Sequence, residues 1–368
     1  AIRRQRQMCI RDRLYRCPKP TFWRALTDND RGSKFHIKSG SWLSADMFID
    51  CKDVQVFMDG EVQKIYAPDN NSYEGDVSAD EIRVQYTYET INTPSTTVVV
   101  TYTVDITGKI QVNVHYNGVK GLPEFPVFGM RFVMPTLADK YLYKGLSGET
   151  YPDRKAGAIE GVYEVSDLSL TPYLVPQECG MRMDTEWVDI VRHTSLDNSR
   201  TDYSSQTLRI EKKDEPFAFS CLPYTASEIE NALHHEELPP ARRTILCIYG
   251  AVRGVGGIDS WGSNVEDEYC IPSFLRNDWK YNVLDRLLRS LALLSQGLSC
   301  LLSLFLWRSL SQDVQPALLL KASFLHHLFH MPDVHSQALR SHIQIFLVYQ
   351  DYPARLDYYT SLYSSLVR

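Results

Sequence analysis

The chain has 368 residues, 44% of them hydrophobic and 23% charged, with a formal net charge of -6. That is ordinary globular material, long enough for one large domain or two medium ones. There is no basic excess to hold a phosphate backbone, so nucleic acid is not an expected partner.

Residues 1–18 are Arg-rich and have no hydrophobic period. The run RQRQMCIRDR resembles translated sequencing-adapter sequence; a disordered basic leader is the other reading. Arg3, Arg4, Arg6, Arg11 and Arg13 are followed by no apolar core, so no signal peptide is visible. A cytoplasmic location is expected, with the periplasm left open.

Residues 19–282 read as β almost throughout. The first stretch, TFWRALTDNDRGSKF (Thr21 to Phe35), is too polar for a buried strand and too rich in Asp and Asn for a helix interior. VQVFMDGEVQKIYA then places Asp59-Gly60 between two strand-like runs, a hairpin signal. EIRVQYTYET alternates with a period of two. TTVVVTYTVDITGKIQVNVHYNG does the same on both sides of a Thr107-Gly108 turn, and ARRTILCIYGAV is a short apolar strand. No long 3.6-residue period interrupts these runs, so an all-β antiparallel sandwich of many strands is expected.

From Val283 to the end of the chain the texture changes to Leu and Ser. Ser290 to Trp307 is uncharged and apolar, at the lower limit for a membrane span, but it holds Gln296, Gly297 and several serines. A shifted reading frame or unrelated joined sequence accounts best for residues 283–368. A pair of amphipathic helices is the structural alternative, and a tail anchor a third.

Few motifs carry chemistry. The eight cysteines are scattered without CxxC spacing and read mostly as reduced thiols. The Asn70–Ser72 sequon carries little weight. Gly254-Val-Gly256-Gly257 is followed by Ile258-Asp259-Ser260-Trp261-Gly262, which is no helix start, so a dinucleotide site is not expected. The same glycines suit a flexible loop that presents Trp261, as either a core plug or a stacking platform for a sugar ring. His234 and His235 before Glu236 and Glu237 read as a surface polar cluster, because no third metal ligand has suitable spacing. His326, His327 and His330 have helical chelating spacing but fall in the Leu/Ser-rich tail.

Five segments in order resemble the C-terminal domain of bacterial β-galactosidases of glycoside hydrolase family 2. They are FWRALTDNDRG (Phe22 to Gly32), PVFGMRF (Pro126 to Phe132), YKGLSGETYPDRKAG (Tyr143 to Gly157), TPYLVPQECGMRMDTEWV (Thr171 to Val188) and LHHEELP with GVGGIDSWG (Gly254 to Gly262). The resemblance covers residues 19–282. It implies a large antiparallel β supersandwich of the galactose-mutarotase-like kind, and a domain that belongs to a retaining enzyme acting on β-D-galactosides such as lactose. In that family the two catalytic glutamates lie on an upstream TIM barrel, so no catalytic residue is assigned to this chain, which is expected to be inactive alone. The Mg and Na of the full-length enzyme, its homo-oligomeric assembly and the barrel itself are implied partners outside these residues.

The resemblance also implies a role for a few residues. Trp261 matches a Trp that stacks on substrate, and Gly32 matches the hinge of a mobile active-site loop. Asp28, Asn29 and Asp30 are expected to fix the base of that loop through side-chain to backbone hydrogen bonds. One segment departs: Leu146-Ser147-Gly148-Glu149-Thr150 lacks the Pro and Asn of the family pattern, which leaves the local turn open. The alternatives are a non-catalytic carbohydrate-binding module, and a mutarotase-type sugar epimerase, for which His193, His234 and His235 are available.

Overall fold

The computed structural model describes residues 14–63, 77–194, 205–285 and 341–343. In chain order the strands are β1 Lys19–Thr21, β2 Asp50–Met58, β3 Glu61–Gln63, β4 Val77–Ala79, β5 Glu81–Glu89, β6 Thr97–Asp105, β7 Ile110–Tyr116, β8 Val127–Met134 and β9 Lys140–Leu146. They continue with β10 Glu160–Val165, β11 Arg182–Thr185, β12 Trp187–Arg192, β13 Gln206–Lys212, β14 Phe217–Leu222, β15 Thr244–Val252, β16 Asn277–Asp285 and β17 Ser341–Ile343. Short helices are α1 Asp28–Gly32, α2 Phe35–Ser39, α3 Ser41–Phe48 and α4 Ala226–Asn231.

The expected antiparallel supersandwich is present. One sheet has five strands in the order β1-β8-β15-β14-β11; the other has ten, in the order β10-β9-β12-β13-β16-β7-β6-β5-β2-β3. The period-two pattern decides which side chains meet between them. In β6, Val98, Val100, Tyr102 and Val104 are buried, while Thr97, Val99, Thr101 and Thr103 take the opposite face. The main core joins these residues to Phe128, Met130, Phe132, Phe219 and Ile248 of the smaller sheet. Strands β8 and β14 are buried on both faces, because the outer face of the five-stranded sheet is covered too. There Val127, Val133, Met181, Ile245, Cys247 and Tyr249 form a second cluster, with Tyr151 and Val255 packed on it.

The turn signals work as chemistry requires. Asp59 and Gly60 both have positive φ, 48° and 88°, as a two-residue hairpin loop needs. The Asp59 carboxylate also accepts from the amides of Asp80 and Glu81, both at 2.9 Å. At the departing turn, the Ser147 amide donates to Ile159 O at 2.9 Å. Glu149 Oε2 accepts from the Gly180 amide at 2.9 Å and Thr171 Oγ1 at 2.7 Å. The turn thus forms without the missing Pro. The described cysteines are free thiols, buried except for partly exposed Cys270.

Three sequence expectations change. Residues 28–48 are helical, not β. Asp and Asn are tolerated because they sit at a helix start: Thr27 Oγ1 accepts from the Asp30 amide and the Asp30 carboxylate from the Thr27 amide, both at 3.0 Å. Within residues 1–18, Leu14 and Cys17 are buried in the main core and the Tyr15 amide donates to Val133 O at 2.6 Å, so the segment from Leu14 packs on the sandwich. In residues 283–368, Val283–Asp285 complete β16 and Ser341–Ile343 are extended against β4. The rest of that tail, with its apolar run and histidine triplet, lies outside the described residues, as does the sequon. No helix among the described residues is long and apolar enough to cross a membrane.

Two buried polar groups tie the helices to the sheets. In α3, Asp46 Oδ1 accepts from Thr21 Oγ1 at 2.6 Å and the Phe22 amide at 2.9 Å, and its Oδ2 pairs with Arg131 at 2.7 Å. Beside α1, Arg24 and Asp30 form a buried ion pair at 2.6 Å, and Arg253 reaches the same carboxylate at 3.4 Å while stacking 4.0 Å over Phe35. Burial alone would push Asp30 up; Arg24, by charge and hydrogen bond, outweighs it and holds the carboxyl below its ordinary value. Next to this pair, burial pushes the Glu178 carboxyl up to about 8, with Arg24 opposing the shift and Glu149 and Asp30 adding to it.

Replacing Asp46 by Ala leaves Arg131 buried and uncompensated, and is expected to cost about 3–5 kcal/mol in denaturant unfolding. A loss below 1 kcal/mol contradicts the anchor. Glu178 has a folded pKa above its unfolded value, so its contribution to stability is present below about 4.5 and declines as pH rises through about 8. Thermal melts of Glu178→Gln across that window are expected to show a shallower fall with pH than the parent; an unchanged slope contradicts it.

Candidate functional site

The loop from Gly254 to Gly262 leaves the end of β15 and lies over the outer cluster of the five-stranded sheet. Its backbone turns through left-handed conformations at Gly256, Gly257 and Gly262, with φ of 66°, 71° and 81°. At its tip Trp261 is 77% exposed, which removes the core-plug reading.

Asn29 on α1 holds both ends of the loop with one side-chain amide. Its Nδ2 donates to Val255 O at 3.0 Å and Ser263 O at 2.9 Å, and its Oδ1 accepts from the Gly262 amide at 2.6 Å. From the other side, the Asp153 carboxylate accepts from the amides of Val255 and Gly256, and Arg154 Nη2 donates to Gly256 O at 2.5 Å. At the tip, Ser260 Oγ and Ser263 Oγ lie 2.7 Å apart. The Asp259 carboxyl is held below its ordinary value by a hydrogen bond from Ser263 and by backbone amides. Lys38 on α2 reaches Asn264 Oδ1 at 3.3 Å. An otherwise free glycine-rich loop is therefore fixed mainly at its stems, leaving the indole projecting.

Gly32 meets the loop directly. A Cβ on Gly32 would lie 2.9 Å from Gly262 Cα and 3.5 Å from Trp261 Cζ2. Its φ is not left-handed, so glycine is required in this structure by close backbone approach, and not by a backbone angle closed to other residues. The acidic run divides its labour. Asn29 clamps the loop and Asp30 fixes α1 from below. Asp28 is exposed: its carboxylate pairs with Arg31 at 3.1 Å and its amide donates to Gln177 Oε1 at 2.7 Å. The structure thus brings Asn29, Gly32 and Trp261 together, with Asp30 one layer beneath and Asp28 at the rim.

Asp153 and Arg154 were not singled out as site residues, though they sit inside the TYPDR stretch quoted above. Nothing in their spacing points at a loop about a hundred residues later; only the fold brings them there. The histidines are placed elsewhere. His193 follows β12 of the ten-stranded sheet and contacts Asp139 at 3.0 Å; His234 and His235 follow α4, contacting Glu237 at 3.1 Å and Tyr173 O at 2.6 Å. Among the described residues, no group of three His, Cys, Asp or Glu is arranged to hold a metal ion. What the site offers is one exposed indole face, rigidly based, suited to the C–H face of a sugar ring. The carboxylates that hold the loop and its base, Asp153 and Asp30, are engaged with backbone amides and arginine, and that of Asp259, on the loop itself, accepts from the Ser260 amide at 2.9 Å.

A family model described as "Beta galactosidase small chain" matches residues 3–284. The chain is 57% identical over 271 residues to the "Beta-galactosidase small subunit" of Latilactobacillus sakei, covering 73% of this chain and 85% of that one. It is 32% identical to the β-galactosidase BgaC of Bifidobacterium adolescentis and to a β-galactosidase of Streptococcus thermophilus. It spans 23% and 22% of those two longer proteins. Among solved structures, a galactose mutarotase-like protein from Lactobacillus casei aligns over 65% of this chain and 84% of that one, at 10% identity and a TM-score of 0.29. At that score the likeness says nothing about function. The family match over residues 3–284, together with a 57% identical relative covered nearly end to end, shows that the chain belongs to the β-galactosidase small-chain family.

Proposed function

We propose that this chain is the non-catalytic small-chain part of a retaining β-galactosidase, and that it completes the substrate pocket of a separate catalytic barrel by presenting Trp261. The observation that carries this reading is a largely exposed indole on a loop pinned at both stems by Asn29. Bare exposure of so large an apolar surface is costly, and fixing it in place is useful only if something else meets it. The surroundings support a partner. Ile37 and Ile258 are exposed beside the loop, and Leu174 and Leu233 beyond α1, around the His235–Tyr173 contact.

In this reading the acid/base and the nucleophile are glutamates of the barrel, and the galactosyl intermediate forms there. The present chain binds and orients: the indole covers the apolar face of the substrate and excludes water from one side. Asn29 and Asp153 keep the loop from collapsing onto the sheet, and Gly32 leaves room for it. Mg and Na belong to the barrel, and no step here runs through them. A second reading, a C-terminal piece of a single-chain enzyme, is favoured by the matches to longer β-galactosidases, and assigns the loop the same work.

The test is reconstitution. The purified chain alone is expected to show no hydrolysis of a nitrophenyl β-galactoside, and activity is expected once the barrel-bearing chain is added. Hydrolysis by the chain alone, abolished by one Glu or Asp substitution, contradicts the reading. In the reconstituted enzyme Trp261→Ala is expected to lower kcat/KM by roughly tenfold or more, about 1.4 kcal/mol per tenfold, with the complex still formed. Gly32→Ala should fall in the same direction, since its methyl group displaces the Gly262 backbone. Unchanged kcat/KM in both variants removes Trp261 from the site.

A further inference from the structure

Residues 22–27, between β1 and α1, have no regular structure, and the amides that lead into α1 are held by side chains. The Leu26 amide donates to Glu230 Oε1 at 3.0 Å, the Thr27 amide to Asp30 Oδ2 at 3.0 Å and the Asp28 amide to Gln177 Oε1 at 2.7 Å. Asp30 belongs to α1 itself. Glu230, on α4, is 204 residues along the chain from Leu26 and ties this entry to a different part of the fold. A helix of five residues cannot secure its own position, so α1 sits where these acceptors put its first turn.

Glu230 has a second grip. Both of its carboxylate oxygens accept from Trp23 Nε1, at 3.1 Å each. The Trp23 ring is buried and stacks on Phe35 of α2, with centroids 6.5 Å apart. The Arg253 guanidinium, which also reaches Asp30, lies over that same Phe35 ring. One carboxylate therefore braces α1 through Leu26 and α2 through Trp23. Its own base is firm. Helix α4 starts in a capping box between Thr225 and Glu228, Ile229 is buried, and Glu228 pairs with Arg243 just ahead of β15.

We infer that Glu230 is a positioning residue for the Trp261 loop. It acts through the two helices it braces. Helix α1 presents Asn29 and Gly32 to the loop, and α2 presents Lys38 to Asn264. Removing the carboxylate leaves the Leu26 amide and the Trp23 indole N–H without their acceptor, and frees the entry of α1 to shift against the loop. A single oxygen, Oε1, accepts from both donors, so a glutamine can do the same work without the charge. For the loop the inference stands by itself; for the reaction it rests on the role proposed for Trp261.

The experiment is amide hydrogen exchange on the full free chain, as wild type and as Glu230→Ala, Glu230→Asp and Glu230→Gln, comparing the loop at 255–263 with β12 and β13 as reference. Glu230→Ala and the shorter Glu230→Asp are expected to speed loop exchange by about fivefold or more with the reference unchanged, and Glu230→Gln to keep the parent rate. Where Glu230→Ala does not fold, Glu230→Asp decides. Unchanged loop exchange in the folded variants overturns the inference. So does equal acceleration in the loop and the reference, which makes Glu230 a general stabiliser. In the reconstituted enzyme Glu230→Ala is expected to lower kcat/KM by about fivefold or more, and to have no further effect when added to Trp261→Ala. A loss of the same size in the Trp261→Ala background overturns the inference, since Glu230 then acts by another route. Loop exchange that responds as expected while Trp261→Ala leaves kcat/KM unchanged supports Glu230 as the loop's positioning residue and contradicts the role proposed for Trp261.

Discussion

The site depends on one side-chain amide. Asn29 makes three hydrogen bonds to the backbone of a loop more than two hundred residues away, and so converts Gly254–Gly262 from a free ribbon into a fixed support for an indole. Asn29 can do this because Asp30, its neighbour, is locked between Arg24, Arg253 and the Thr27 amide. The buried ions therefore hold α1, α1 holds the loop, and the loop holds Trp261. A charged pair in an apolar setting is expensive to bury and adds little net stability, but removing one partner is costly, which makes it a good device for fixing position.

The sandwich supplies the platform for that chain of contacts. Its five-stranded sheet is buried on both faces, with one face toward the main core and the other under the cluster that carries Tyr151 and Val255. Asp153, two residues from Tyr151, then meets the loop from the side opposite Asn29. The ten-stranded sheet differs: in β5, β6 and β7 one face lies in the core and the other is partly exposed.

Much of this was legible from residue patterns. Alternation in TTVVVTYTVDITGKIQVNVHYNG fixes β6 and β7 because a period of two leaves each side chain a single face. Asp59-Gly60 marks its hairpin because two left-handed residues suit few other pairs. The three helices at 28–48 were missed because each is a few residues long and is secured by tertiary contacts such as Asp46 with Arg131, not by a periodic apolar stripe. DNDRG was misread for a related reason: acidic residues that disfavour a helix interior favour its first turn. The resemblance to the family pointed to Asn29, Gly32 and Trp261, but that Gly32 packs against the Gly262 backbone could be read only from the fold. The partnership of Asp153 with the loop has no local signal at all, since it exists only once β15 has returned beside the segment following β9.

The central claim is that Trp261 is a fixed platform completed by another chain. The most direct measurement is acrylamide quenching of Trp261 fluorescence, taken as the difference between the chain and its Trp261→Phe variant, with and without the barrel-bearing chain and a galactoside. The account predicts an accessible indole in the free chain that becomes protected only when both are present. Quenching that stays the same in the complex with substrate would contradict it.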